Sequence, residues 1–358
     1  MPPWHADPKH GKFANDRSLT AEERETLFAW IDSGSPRGDT EPSPPVFHEG
    51  WAIRADKVLK TTGYKVPAEG VLDYVEFPID TGFTKDTWVQ AIEIQAGNKA
   101  VVHHINVYLR PKGAPKGSQY LNSMSDFYLA MMVPGNSVTN WPSGVAKVIP
   151  SGWQIVLSVH YQPNGTEQFD VSSIALELAS NVRQQAATRL VLHEGAPLPA
   201  NEVTEINETW TLEDDFTLYA LYPHMHLRGK SMRFEADGEI LLNVPHYDFN
   251  WQTRYILAEP KRLKKGVVVR CTAVYDNTSA NPNNPNPNAA VKWDKQSTDE
   301  MFQAGFEVVR TNEDRIAENR TRNMAAIGIV LCVIFLLRGR LWGFLRFSHL
   351  PGASSSTR

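Results

Sequence analysis

Between Trp51 and Arg310 the chain is a succession of short runs in which apolar and polar positions alternate, separated by Gly, Pro, Asn and Asp. Alternation with period two turns one face of a strand toward a core, and turn residues at such short intervals predict antiparallel β structure. A first set of runs falls at 74–79, 88–94, 100–109, 154–161 and 173–178. A second falls at 189–192, 205–212, 217–226, 231–236, 251–257, 267–275 and 303–309. No long amphipathic helix intervenes. The economical reading is an all-β protein of two sandwiches in tandem, over 51–185 and 186–310.

The pattern changes at both ends. Residues 1–40 predict one short helix: Thr20 with Glu23 makes a capping box, Leu27, Trp30 and Ile31 follow at helical spacing, and Gly34 is a natural stop. Residues 41–50 form a linker that opens with a proline-rich, extended stretch over 41–47. The Asn-Pro repeats of 277–290 predict a long polar loop, read either as a rim of a site or as plain surface. In 311–347 a charged helical stretch leads into the uncharged, mostly apolar run 324–337, with Arg338, Arg340 and further apolar residues behind it; 348–358 is a tail. A 14-residue helix rises about 21 Å against a hydrocarbon core of about 30 Å, and snorkelling arginines with residues up to Phe347 close the gap. The expected role is a transmembrane anchor, the alternative a helix docked on protein.

Composition narrows the function classes. A chain of 358 residues, 42% hydrophobic and 21% charged, buries a real core. A net charge of -4 without a basic stripe argues against nucleic acid. The two cysteines, Cys271 and Cys332, match neither a disulfide framework nor a CxxC motif. Met1-Pro-Pro-Trp-His-Ala-Asp has no basic or apolar signal region, so either the protein is cytoplasmic or its native start lies upstream.

The candidate chemistry sits on histidines. His224 and His226 lie two apart in an extended run, which puts both imidazoles on one face, their Cα atoms about 6.5–7 Å apart. His103 and His104 are adjacent, so they can ligate together only at a bulge or strand end. His160 lies in a separate apolar run, and Met301 follows Asp299-Glu300 at the start of the last one. Taken singly, each has a plain reading as a core or surface residue. Together, three imidazoles in one set and two imidazoles with a thioether in the other suit copper, which cycles through Cu(I).

Val101-Val-His-His-Ile-Asn-Val-Tyr-Leu109, Ser158-Val-His-Tyr161, Tyr222-Pro-His-Met-His-Leu-Arg-Gly-Lys230 and Asp299-Glu-Met301 resemble the copper type II, ascorbate-dependent monooxygenases over roughly residues 50–310. That family includes peptidylglycine alpha-hydroxylating and dopamine beta-monooxygenases. The resemblance implies nine-stranded, jelly-roll-like sandwiches and two copper ions facing each other across a solvent-filled cleft. It places an electron-transfer copper on His103, His104 and His160, and an oxygen-activating copper on His224, His226 and Met301. The implied reaction is hydroxylation of an aliphatic C–H bond of a small molecule by O2. An external one-electron reductant such as ascorbate or a cytochrome c would supply the electrons, with the catalytic domains periplasmic or extracellular.

Two positions depart from the peptide-acting members: Tyr222 stands where they have an arginine for the substrate carboxylate, and Gly305 where they have a tyrosine. The soluble part also has a single cysteine where animal members have several disulfides. Met1-Pro-Pro-Trp-His-Ala-Asp-Pro, Leu19-Thr-Ala-Glu and Ala29-Trp-Ile-Asp-Ser-Gly resemble the end of a c-type cytochrome domain, without its CxxCH. That likeness implies a bacterial relative with a c-type cytochrome as electron donor. Two other classes stay open: a non-catalytic, membrane-associated copper-binding or electron-transfer protein, and a β-sandwich interaction protein with structural histidines.

Overall fold

In the computed structural model, which describes residues 3–41, 43, 49–114 and 127–310, the alternating runs become strands of an all-β sandwich architecture. One long sheet runs through both halves. Its order is Lys57–Lys60, Ser173–Leu178, Thr87–Gln95, Val145–Ile149, Gln184–Leu192, Gln303–Arg310, Phe216–His224 and Tyr255–Leu263. All its neighbours are antiparallel except one pair: Gln184 and Gln185 run parallel to Val145 and Ala146 and join the halves. The boundary expected at 185/186 therefore falls inside a strand, Gln184–Leu192.

A four-stranded sheet covers each half of this backbone. In the first, the order is Val75–Asp80, Trp153–Tyr161, Val102–Pro111 and Tyr128–Met132. In the second it is Val203–Thr211, Val268–Asp276, Gly229–Ala236 and Glu239–Val244. Two core clusters fill the space between the layers. Ile92, Ile105, Leu157 and Ile174 belong to one; Phe216, Phe234, Leu242 and Phe306 belong to the other. The edge strand Val203–Thr211 shows strict alternation, with Ile206 and Trp210 turned inward between exposed neighbours. Gln303–Arg310, in the middle of the long sheet, is buried on both faces, which is why its sequence alternates less clearly.

A buried polar network ties the halves together. Lys147 Nζ lies 3.2 Å from Glu307 Oε1, Trp141 donates to the same oxygen at 2.8 Å, and the Tyr222 hydroxyl donates to Glu307 Oε2 at 2.6 Å. Arg254 Nε in turn donates to the Tyr222 oxygen at 2.9 Å. Burial pushes the Glu307 carboxyl up, but Lys147 and Arg254 outweigh it and hold it below the ordinary range. The cost of desolvating these charges is offset only because every one of them is hydrogen-bonded.

The amino terminus divides into two parts. Helix Ala21–Asp32 forms with the expected capping box, Thr20 and Glu23 bonding reciprocally. It buries nothing: Leu27, Phe28, Trp30 and Ile31 are all exposed. The residues before it do the docking. Trp4 and Phe13 pack edge-on against Tyr255 in the second core, and Ala14 donates to the Ile256 carbonyl. Most of the proline-rich linker, the charged stretch and apolar run of 311–347, and the tail lie outside the described residues. Among the described residues no helix is long and apolar enough to cross a membrane.

Candidate metal centre

The bulge that joint ligation by His103 and His104 demands is present. Val102 pairs with Tyr161 and His104 with His160, so the register slips by one residue at His103. The extra residue bends the strand and lets both imidazoles turn to one side. His104 faces His160 across the strand pair with ring centroids 4.8 Å apart, and His103 lies 5.6 Å from His160. One nitrogen from each of the three lies within 4.8 Å of the others. Two nitrogens bound to one ion at about 2.0 Å and about 90–110° stand about 2.8–3.3 Å apart. Nδ1 of His103 and Nδ1 of His104 are 3.0 Å apart, inside that window.

His224 closes the strand Phe216–His224, and His226 follows in the turn behind it, with the fully buried Met225 pointing into the core between them. The two imidazoles share a side, perpendicular and 5.3 Å apart. Met301 follows Glu300 and lines the same cavity as His224. Glu300 is the keystone of this turn. Its carboxylate accepts the backbone N–H of His226 at 2.9 Å, Arg228 at 2.7 Å and Met301 at 3.1 Å, binding the HxH segment to the Met301 segment. Burial pushes its pKa up to about 7 against the pull of these donors and of Arg228.

The Asn-Pro loop is mostly exposed, and its asparagines anchor it to the turn that carries His226. Arg228 Nε donates to Asn277 Oδ1 at 2.9 Å, Asn284 donates to the same oxygen at 3.0 Å, and Asn281 donates to the Leu227 carbonyl. The loop braces the turn that carries His226 from behind.

The imidazoles are held neutral. Burial holds all five below the usual histidine range, with His160 and His224 down to about 4 and neighbouring histidines adding to the effect. Their outer nitrogens are also assigned. His224 Nδ1 donates to Gln252 Oε1 at 2.7 Å, and Gln252 is itself oriented by donating to the Phe249 carbonyl. That leaves His224 Nε2 with its lone pair. His104 Nε2 bonds the Tyr74 hydroxyl at 2.7 Å. Nδ1 of His160 and of His226 are buried and have no partner among the described residues. Orphaned ring nitrogens are costly in a core unless a ligand completes them. The three histidines His103, His104 and His160 therefore fit a transition-metal ion of the kind that imidazole binds.

Sequence reasoning did not find Tyr74, Gln252 or Phe249. None carries a motif; their roles arise from contacts between distant segments. Phe249 stacks on His103 at 4.8 Å and lies 5.9 Å from His226. His104 and His224 approach to 6.5 Å between ring centroids. The two histidine sets therefore adjoin one another, where the resemblance implied separation across a solvent-filled cleft. The shared sheet and the Lys147–Glu307 network hold the halves too close for such a gap.

The adjoining cavity, of about 750 Å³, is walled by both halves: Tyr74, Tyr108 and Tyr128 from one side, Leu192 and Phe302 from the other. The two positions that depart from the peptide-acting enzymes turn out to be neighbours. A Cβ at Gly305 would stand 3.1 Å from the Tyr222 Cβ and 3.3 Å from its ring, so a side chain there would be crowded against Tyr222.

No family model and no curated protein matches the chain. Solved structures give only faint likeness. The major capsid protein P2 of bacteriophage PM2 is 9% identical over 71% of this chain and 100% of its own, with a TM-score of 0.29. The glycanase PNGase F is 9% identical over 72% of this chain and 96% of its own, with a TM-score of 0.31. At these scores neither decides anything about fold or function.

Proposed function

We propose that this protein is a copper-dependent monooxygenase that hydroxylates an aliphatic C–H bond of a small molecule with O2. The observation that carries the reading is the convergence of His103, His104 and His160 at a strand bulge, with His224 and His226 alongside, all uncharged. In this reading His103, His104 and His160 hold one copper, and His224, His226 and Met301 hold the other. Copper, when bound, would supply one-electron steps and the activation of oxygen.

The remaining work belongs to the chain. Gln252 fixes which ring nitrogen of His224 carries the proton, and Tyr74 holds the His104 ring through Nε2. Glu300 holds the His226 and Met301 segments in register. Phe249 shields the space between the histidine sets from water, and the tyrosine-walled cavity presents the substrate to the His224 side. The finer architecture belongs to the same proposal: two tandem jelly-roll-like sandwiches, a membrane anchor over 324–347 with the catalytic domains periplasmic or extracellular, and electrons from ascorbate or a c-type cytochrome.

Elemental analysis of the reconstituted protein tests it, with oxygen uptake followed under ascorbate. Two coppers per chain are expected, His160→Ala impairing one site and Met301→Ala the other. One copper or none, indifferent to Met301, would sink the proposal. A soluble cytochrome c that fails to reduce the copper protein where ascorbate succeeds would remove the cytochrome donor alone.

A further inference from the structure

The inner, unexposed wall of the cavity beside His224 and Met301 contains titratable groups, and each of them is already engaged. Glu76 takes the Tyr108 hydroxyl on Oε1 at 2.6 Å and Arg110 Nη1 on Oε2 at 2.8 Å. Glu300 has both oxygens occupied by backbone N–H groups. The Tyr128 hydroxyl donates to Asn106 Oδ1 at 3.1 Å, and the Tyr74 hydroxyl bonds His104. Burial pushes the phenols of Tyr74, Tyr108 and Tyr128 up, so they stay neutral.

The remaining charged residues that line it, Asp73, Glu194, Lys292, Asp294 and Lys295, are exposed at its mouth, and Lys292 is paired with Asp294 at 2.7 Å and Asp299 at 3.4 Å. The arginines near the inner wall face away from it. Arg110 is spent on Glu76, and Arg254 on the Tyr222 hydroxyl. Tyr222 itself, at the position where the resemblance set an arginine, directs its hydroxyl into the buried Glu307 network. Below the mouth, among the described residues, a ligand carboxylate would meet no unpaired cation, and a ligand ammonium would meet only Glu76, already paired with Arg110, and Glu300, whose oxygens hold three backbone N–H groups. Either charge would be desolvated there without a free partner.

We infer that the part of the substrate that enters this cavity is uncharged, an aromatic or apolar group bearing at most a hydroxyl or amide, which lies among Tyr74, Tyr108, Tyr128, Leu192 and Phe302. The available hydrogen-bonding groups suit this. Asn106 keeps its amide N–H groups for an acceptor while its carbonyl is held by Tyr128. Tyrosine and phenylalanine faces supply area for an aromatic ring without demanding charge. The inference rests on the reading of this cavity as the substrate site of the proposed enzyme.

The test is calorimetric titration of the full-length, metal-free protein with three molecules of one shape: 2-phenylethanol, phenylacetate and 2-phenylethylammonium. The alcohol should bind about tenfold or more tightly than either ion, the difference that about 1.4 kcal/mol of unpaired charge produces. Phenylacetate or 2-phenylethylammonium binding as tightly as the alcohol would overturn the inference, and so would no binding of any of the three. Leu192→Lys adds one cation to the wall and should turn the preference toward phenylacetate, whereas Leu192→Met should leave it with the alcohol. The wild-type series decides by itself where Leu192→Lys does not fold. Failure of the monooxygenase reading shows separately, as a copper content below two with the binding order unchanged.

Discussion

His104 and His160 are direct cross-strand partners, and the register slip beside them is what brings His103 to the same side. Such a pair is fixed by main-chain hydrogen bonds, so the first histidine set is preformed before any ion arrives. The outer-shell contacts should therefore be separable by site. Tyr74→Phe removes the bond to His104 and should lower metal affinity at the first set about 10–100-fold, and Gln252→Leu should do the same at the second. Competitive chelator titration of each variant reads both sites; loss at the wrong site would break the assignment.

Acid should weaken the metal-free fold through these same side chains. A histidine whose folded pKa lies below its unfolded value binds fewer protons when folded. Its contribution is complete above about pH 6.5 and is lost as pH falls toward the folded value. For His160 and His224 the folded value is about 4, set first by burial, so the window runs from about 6.5 down to about 4. His160 alone is worth on the order of 3 kcal/mol across it. Urea unfolding of the metal-free protein at pH 7.5 and pH 5 should show the loss, and bound metal should suppress it. Equal stability at the two pH values would contradict the buried neutral state.

Much of this was legible in the sequence, and the gaps have physical causes. The demand for a bulge at His103 follows from strand geometry alone, and the structure meets it. The capping box of Thr20 and Glu23 is equally local and equally present. The strand Tyr128–Met132 was not legible, because it is buried on both faces and Tyr-Leu-Ala-Met-Met has no alternation to read. Val145–Ile149, the strand that joins the halves, was missed for the same reason. The exposed face of helix Ala21–Asp32 misled in the opposite way, since Leu27, Trp30 and Ile31 have core spacing but no core beneath them. Phe249 and Gln252 reach the histidines from a segment that carries no motif, and only packing reveals them.

Glu300 should be needed for the second histidine set and dispensable for the first. Its three backbone hydrogen bonds hold the His226 turn to the Met301 segment, and bonds to a charged acceptor are worth about 1.5–3 kcal/mol each. Glu300→Ala should abolish one equivalent of bound metal while the other, on His103, His104 and His160, stays. Metal content measured beside the His160→Ala variant separates the two. Retention of both equivalents in Glu300→Ala would show that the turn holds without it.

The junction between the halves should behave as one coupled unit. Lys147 and Glu307 are both buried, and removing either partner strands the other charge in a dry site, which costs about 3–5 kcal/mol. Lys147→Met and Glu307→Gln should each lower the unfolding free energy by that order, while the double variant should lose clearly less than the sum. The network also holds the Tyr222 ring, and through the shared sheet it keeps His104 within 6.5 Å of His224. Single variants should therefore weaken metal binding at both sets together, although neither residue touches a candidate ligand. Additive losses in the double-mutant cycle, with metal affinity unchanged, would mean that the halves are held by the sheet alone.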